Sequence, residues 1–138
     1  MTKQRNEEMQ KEYLELQIII QQINQIQQQL VNVQNQIIEL KNLGENLNSL
    51  KDIKDNTESY APVGFNIFTK VKLQNTDELL VNVGNNVFTT KSIEETNRLI
   101  DSQILQIEKI NQELEEKLNE MEKSGELIQS RILELSNK

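Results

Sequence analysis

Tyr60 to Thr90 reads YAPVGFNIFTKVKLQNTDELLVNVGNNVFTT, and the hydrophobic period of this stretch decides the fold. Ile67, Val71 and Leu73 alternate with Asn66, Lys70 and Lys72. Asn75-Thr76-Asp77 then interrupts the run before Leu79, Val81 and Val83 alternate again. A second break, Gly84-Asn85-Asn86, leads into Val87-Phe88-Thr89-Thr90. Alternation bounded by turn residues predicts strands. With Tyr60 to Val63 as an opening strand ahead of Gly64, the block predicts two small hairpins. Pro62 has no amide to donate, so its strand belongs at an edge. So little strand cannot bury both faces of a sheet, and unpaired edges recruit further strands. Val63, Ile67, Val71, Leu73, Val81 and Val83 are therefore the expected oligomer interface.

Outward from this block the period lengthens to about 3.5 residues, the spacing of a coiled-coil seam. Upstream the seam runs Leu16, Ile19, Ile23, Ile26, Leu30, Val33, Ile37, Leu40 and Leu47, with Gly44 in the one slot that lacks an apolar side chain and Met9 extending it toward the N-terminus. Downstream it runs Ile93, Asn97, Ile100, Ile104, Ile107, Asn111, Leu114, Leu118, Met121, Gly125, Ile128, Ile132 and Leu135. Ser92-Ile93-Glu94-Glu95 forms a capping box that starts the second helix. The organisation expected is an N-terminal coiled-coil helix over 1–58, two β-hairpins over 59–91 and a C-terminal coiled-coil helix over 92–138. The fold class is mainly α with small β: a long antiparallel coiled-coil hairpin with two β-hairpins at its base. The best alignment of the two tracts sets Asn111 near Val33, Gly125 near Ile19 and Met9 near Leu135.

Composition narrows the chemistry. The 138 residues include no Cys and no His, which excludes disulfides, Cys/His zinc sites, thiol nucleophiles and imidazole-dependent triads. No glycine-rich phosphate loop occurs, so neither a nucleotide site nor any cofactor is expected. The balance of 15 Lys and Arg against 22 Asp and Glu, net −7, has the wrong sign for a nucleic-acid partner. Gln17 to Ile38 carries no charge, but twelve of its 22 residues are Gln or Asn, whose amides would be stranded in lipid, so no membrane partner is expected. The opening residues MTKQRNEEMQKE do not read as a secretory signal, and the chain is expected to be soluble and cytoplasmic.

Several other features have a plain structural account. Asp101, Glu108, Glu115 and Glu122 form a stripe with successive members about 10 Å apart along a helix, too far for an acid/base pair or one metal. Asn97 and Asn111 are seam breaks of the kind that fix register. Gln22, Gln27, Gln29, Gln34 and Gln36 at flanking positions carry no charge code for choosing a partner helix, which suits a helix tethered to its own partner. Apolar residues off the seam near the chain ends, Tyr13, Leu14, Ile18, Ile20, Leu127 and Leu133, are what a surface for other polypeptides requires.

Pro62-Val63-Gly64, Lys70-Val71-Lys72 and Leu80-Val81-Asn82-Val83-Gly84, set between two coiled-coil helices, resemble the archaeal-type α subunit of prefoldin. The resemblance covers essentially the whole chain, and two hairpins point to the α-type because the β-type has one. The family often has Asp at the place of Asn82 and Ala at the place of Thr96, which the heptad register puts on the solvent side. The resemblance implies an ATP-independent holdase, not an enzyme. In it two α-type and four β-type subunits form a double β-barrel platform, and coiled-coil arms grip unfolded client polypeptides and deliver them to a group II chaperonin. Client binding is then expected at Met9, Tyr13, Leu14, Ile128, Ile132 and Leu133, beyond the last stable seam layers. The alternative is a structural coiled-coil scaffold or filament subunit that assembles through the hairpins without binding clients.

Overall fold

Both helices form where the seam period is unbroken. In the computed structural model, which describes residues 2–137, the order is α1 (Thr2–Leu50), β1 (Thr57–Gly64), β2 (Ile67–Leu73), β3 (Glu78–Asn82), β4 (Phe88–Ser92) and α2 (Ile93–Ser136). Residues 1 and 138 of the expected ranges lie outside the described residues. The strands make two separate antiparallel two-stranded sheets, β1 with β2 and β3 with β4. Two long helices with two small hairpins are the expected fold class.

The chain divides into two units. Met1–Ile37 with Gln106–Lys138 is a helix pair without strands, in which Ile26, Leu30, Ile128 and Ile132 are the buried aliphatic side chains. The remaining seam residues of this unit are half-buried, and Gly125 is buried. A Cβ placed on Gly125 would lie 3.6 Å from Ile19 Cγ2 and 4.0 Å from Leu16 Cδ1, so the expected pairing of Gly125 with Ile19 is present. Arg131 lies against Glu12 at 3.4 Å, which together with Gly125 over Ile19 makes the pair antiparallel. In the second unit, Ile38–Leu105, Ile93, Thr96 and Ile100 are buried, and Asn97 Nδ2 donates to Asn48 Oδ1 at 2.8 Å.

α1 ends at Leu50, earlier than the expected boundary at residue 58. Past Leu50 the run Lys51-Asp52-Ile53-Lys54-Asp55 gives a helix little to bury, and Asn56 takes a left-handed φ of 68°. The Leu50 carbonyl, an orphan acceptor at the helix end, receives the Ile53 amide at 3.3 Å and the Thr76 hydroxyl at 3.1 Å. β1 consequently starts three residues before Tyr60. Thr57 pairs with Leu73, Glu58 with Lys72 and Ser59 with Val71, residues too polar on the β1 side for alternation to reveal. Just after Pro62 the ladder shifts register, which leaves Val63 in a bulge between the pairs Pro62–Phe68 and Gly64–Ile67.

α2 begins where the capping motif sets it: the Glu95 amide donates to Ser92 Oγ at 3.1 Å. Thr96 does not face solvent as the heptad register implied. It is 8% exposed, its hydroxyl donates to the Ser92 carbonyl at 2.8 Å, and it shares a groove wall with Val81 and Asn82 of the second hairpin. A two-helix register does not count that third neighbour. Asn82 Oδ1 accepts the Gly84 amide at 2.9 Å, an acceptor role that Asp fills equally.

Candidate interaction surfaces

Each hairpin has one face turned toward its own chain and one toward solvent. In β1 and β2 the half-buried residues are Ser59, Ala61, Val71 and Leu73. The opposite face carries Tyr60, Pro62, Phe68 and the exposed Lys70–Glu58 ion pair at 3.1 Å. In β3 and β4 the half-buried residues are Leu79, Val81, Thr89, Lys91 and Ser92, and the other face exposes Leu80 and Phe88. Cross-strand partners share a face in an antiparallel ladder, so the pairing of Val81 with Thr89 and Leu80 with Thr90 sets this division.

The six residues expected at the oligomer interface fall into two groups. Val63, Ile67 and Val83 are exposed apolar side chains, whereas Val71, Leu73 and Val81 are half-buried within the chain. The exposed set is completed by residues that alternation did not single out: Tyr60, Phe65, Phe68, Leu80, Val87 and Phe88. Counting only one parity of each strand passed over the aromatic face. The signal that could have found it is the concentration of all three Phe of the chain within residues 65–88.

In the strand-free unit the structure separates the six expected client residues in the same way. Tyr13, Leu14 and Leu133 are exposed, and Ile18, Ile20 and Leu127 beside them are exposed as well. Met9 is half-buried. Ile128 and Ile132 are only 5% and 8% exposed, so the seam does not stop before them; they are packing residues of the folded pair.

The seam also continues through two charged residues that the apolar pattern missed. Arg5 and Glu12 are half-buried, and with Met9 and Leu16 they keep the three-four spacing. One oxygen of Glu12 meets Arg131, while Glu12 Oε2 and Arg5 Nε are shut from solvent without a partner. Asn111 Oδ1 is likewise buried and unpaired, its amide nitrogen donating to Glu115 at 3.3 Å. The acidic stripe of Asp101, Glu108, Glu115 and Glu122 lies exposed. Among the described residues no three carboxylates gather as a metal site, and no helix is long and apolar enough to cross a membrane.

Compared with known protein families, residues 19–138 match the prefoldin subunit family. The chain belongs to the prefoldin family. Prefoldin is a family of non-enzymatic chaperones whose subunits work in oligomers, so the chain is a chaperone-type subunit. No curated protein matches the chain. Among solved structures it is similar to one from the cryo-EM structure of filamentous PFD from Methanocaldococcus jannaschii, at 23% identity and a TM-score of 0.75, over 83% of this chain and 95% of that one. At that identity the likeness concerns the fold: two helices and two hairpins arranged as in an archaeal prefoldin subunit. The exposed apolar sets described above are thus carried on a prefoldin scaffold.

Proposed function

We propose that this chain is an α-type prefoldin subunit that joins β-type subunits, two with four, through its hairpins and acts in the cytoplasm as an ATP-independent holdase. The two hairpins support the α-type. The observation that carries the client-binding part is the cluster of exposed apolar side chains, Tyr13, Leu14, Ile18, Ile20, Leu127 and Leu133, on the strand-free unit of a prefoldin fold. Unfolded chains present mixed apolar surface, and a patch of separate aliphatic and aromatic side chains meets it without a shaped pocket. Gripped clients would then pass to a group II chaperonin.

The test is light scattering of an aggregating client without nucleotide, with this chain and a β-type partner. Changing Tyr13, Leu14 and Leu133 together to Ser touches no buried residue, so helix content should hold while protection falls to that of buffer. Full protection by the triple variant would place the client site elsewhere.

A second reading has its own support. The similar solved structure comes from a filamentous PFD, and this chain overlaps nearly all of that subunit. As a filament subunit it would assemble through its hairpins and need no client. Filaments of this chain alone in electron micrographs, with no effect on client scattering, would establish that reading over the first.

A further inference from the structure

Charge is divided unevenly between the two helices of the strand-free unit. Gln17 to Ile37 of α1 carries none, whereas Gln106 to Gln129 of α2 carries seven Glu against three Lys. The pairing of Gly125 with Ile19 sets these stretches side by side, so the facing part of α1 offers the carboxylates no cation. Glu122 and Glu126 stand one helical turn apart, both exposed, a spacing at which like charges repel. Among the described residues the ion pairs are Lys70–Glu58 and Arg131–Glu12, and neither Glu122 nor Glu126 takes part in one.

These two carboxylates edge an apolar groove. It has a volume of about 230 Å³, with Ile19, Ile20 and Ile23 on the α1 side and Glu122 and Glu126 on the α2 side, and no Lys or Arg lines it. The volume falls below the roughly 300–1,000 Å³ of small-molecule sites, which leaves room for a single side chain. Ile20 belongs to the exposed apolar set of this unit, so the groove is part of that surface. The sign of its rim selects the occupant. Nucleic acid and an anionic lipid surface bring phosphates, and a second copy of this chain, at net −7, brings more carboxylate than cation. A basic stretch of unfolded polypeptide brings an aliphatic side chain and a cation together.

We infer that this groove takes unfolded segments in which an aliphatic residue lies next to Lys or Arg, the aliphatic chain against Ile19, Ile20 and Ile23 and the cation between Glu122 and Glu126. This rests on the reading of the strand-free unit as the client surface and adds the class of client segment it prefers. The test is fluorescence anisotropy of the full chain with two short labelled peptides that share the same Leu and Ile positions, one carrying Lys and the other Glu at every charged site. Two variants accompany wild type: Glu122→Gln with Glu126→Gln, and Glu113→Gln with Glu116→Gln, which removes the same charge at exposed positions outside the groove. Circular dichroism melts check that both fold.

At low ionic strength wild type should bind the Lys peptide about fivefold more tightly than the Glu peptide, the scale of two exposed ion pairs, and added salt should close the gap. Glu122→Gln with Glu126→Gln should remove most of this preference, and Glu113→Gln with Glu116→Gln should leave it. Equal binding of the two peptides, or a preference that survives the loss of Glu122 and Glu126, overturns the inference and leaves the client reading standing. A preference lost equally in both variants also overturns it, since net charge alone then attracts the peptide. If neither peptide binds, the inference falls, and the client reading falls with it only if the light-scattering assay shows no protection either.

Discussion

Replacing Gly125 with alanine should stabilise the helix pair by about 1–2 kcal/mol, a gain that follows from two separate terms. Glycine in a helix interior costs about 1 kcal/mol relative to alanine because its backbone has more freedom to lose. The new methyl enters a buried position and meets Ile19 Cγ2 at 3.6 Å and Leu16 Cδ1 at 4.0 Å, ordinary contact distances that demand no displacement. Burial of one methyl contributes roughly 0.8 kcal/mol at full desolvation and less in a notch that stays partly open. The sum raises a thermal midpoint by roughly 3–8 °C for a chain of this size.

The assay is urea and thermal unfolding of the full chain followed by far-UV circular dichroism, with Gly44→Ala as the control. There the methyl would face Asn97 Oδ1 at 3.8 Å, so the helix term is gained against an amide oxygen and the apolar term is not. Gly125→Ala should therefore exceed Gly44→Ala. A lowered midpoint for Gly125→Ala would mean that the helices meet there more closely than 3.6 Å allows, and the register built on Gly125 over Ile19 would be wrong. A raised midpoint with weakened client protection would instead show that Gly125 lends the arm a flexibility its task needs.

Two further outcomes follow from the same geometry. Ser92→Ala should cost about 1 kcal/mol, since it removes the acceptor of the Glu95 amide, and a urea midpoint unchanged from wild type would mean that the cap contributes nothing. Asn111→Leu removes a buried acceptor without a partner and should raise stability by about 1–3 kcal/mol; a destabilised variant would show that Asn111 Oδ1 has a partner in solution.

What the sequence made legible is what depends on period alone. The seam from Leu16 to Leu47 and from Ile93 to Leu135 could be read because each residue on it faces a similar apolar environment, and all of these residues are buried or half-buried. The period failed where a third element or a charge enters. Thr96 is buried beside a groove that it lines together with the second hairpin, a tertiary neighbour that helical spacing cannot express. Arg5 and Glu12 hold seam positions at the expected spacing, but an apolar pattern skips charged residues. The end of α1 at Leu50 was missed because Lys, Asp and Asn are tolerated by a helix and by a loop alike. The expected client residues mixed two kinds: exposure follows from angular position on the helix, which assigns Tyr13, Leu14 and Leu133 outward and Ile128 and Ile132 inward. Proximity to the chain ends had obscured that distinction.

The polar contacts show why a seam this repetitive adopts one register. Aliphatic residues every three or four positions pair almost as well after a slip of one heptad, which moves a helix by about 10 Å. Each unit holds a cross-link that such a slip breaks: Asn97 to Asn48 in one, Arg131 to Glu12 in the other. The second is largely exposed on the Arg131 side and contributes about 0–1 kcal/mol in itself. Its weight lies in the alternative, because a slipped pair separates the half-buried Glu12, 18% exposed at its side chain, from Arg131. The glycines act the same way by shape. Gly125 makes room where Ile19 and Leu16 approach. Stability thus comes from the repeated aliphatic layers and register from a few polar or vacant ones. The apolar side chains that neither role requires, among them Tyr13, Leu14, Phe65 and Leu80, are left exposed.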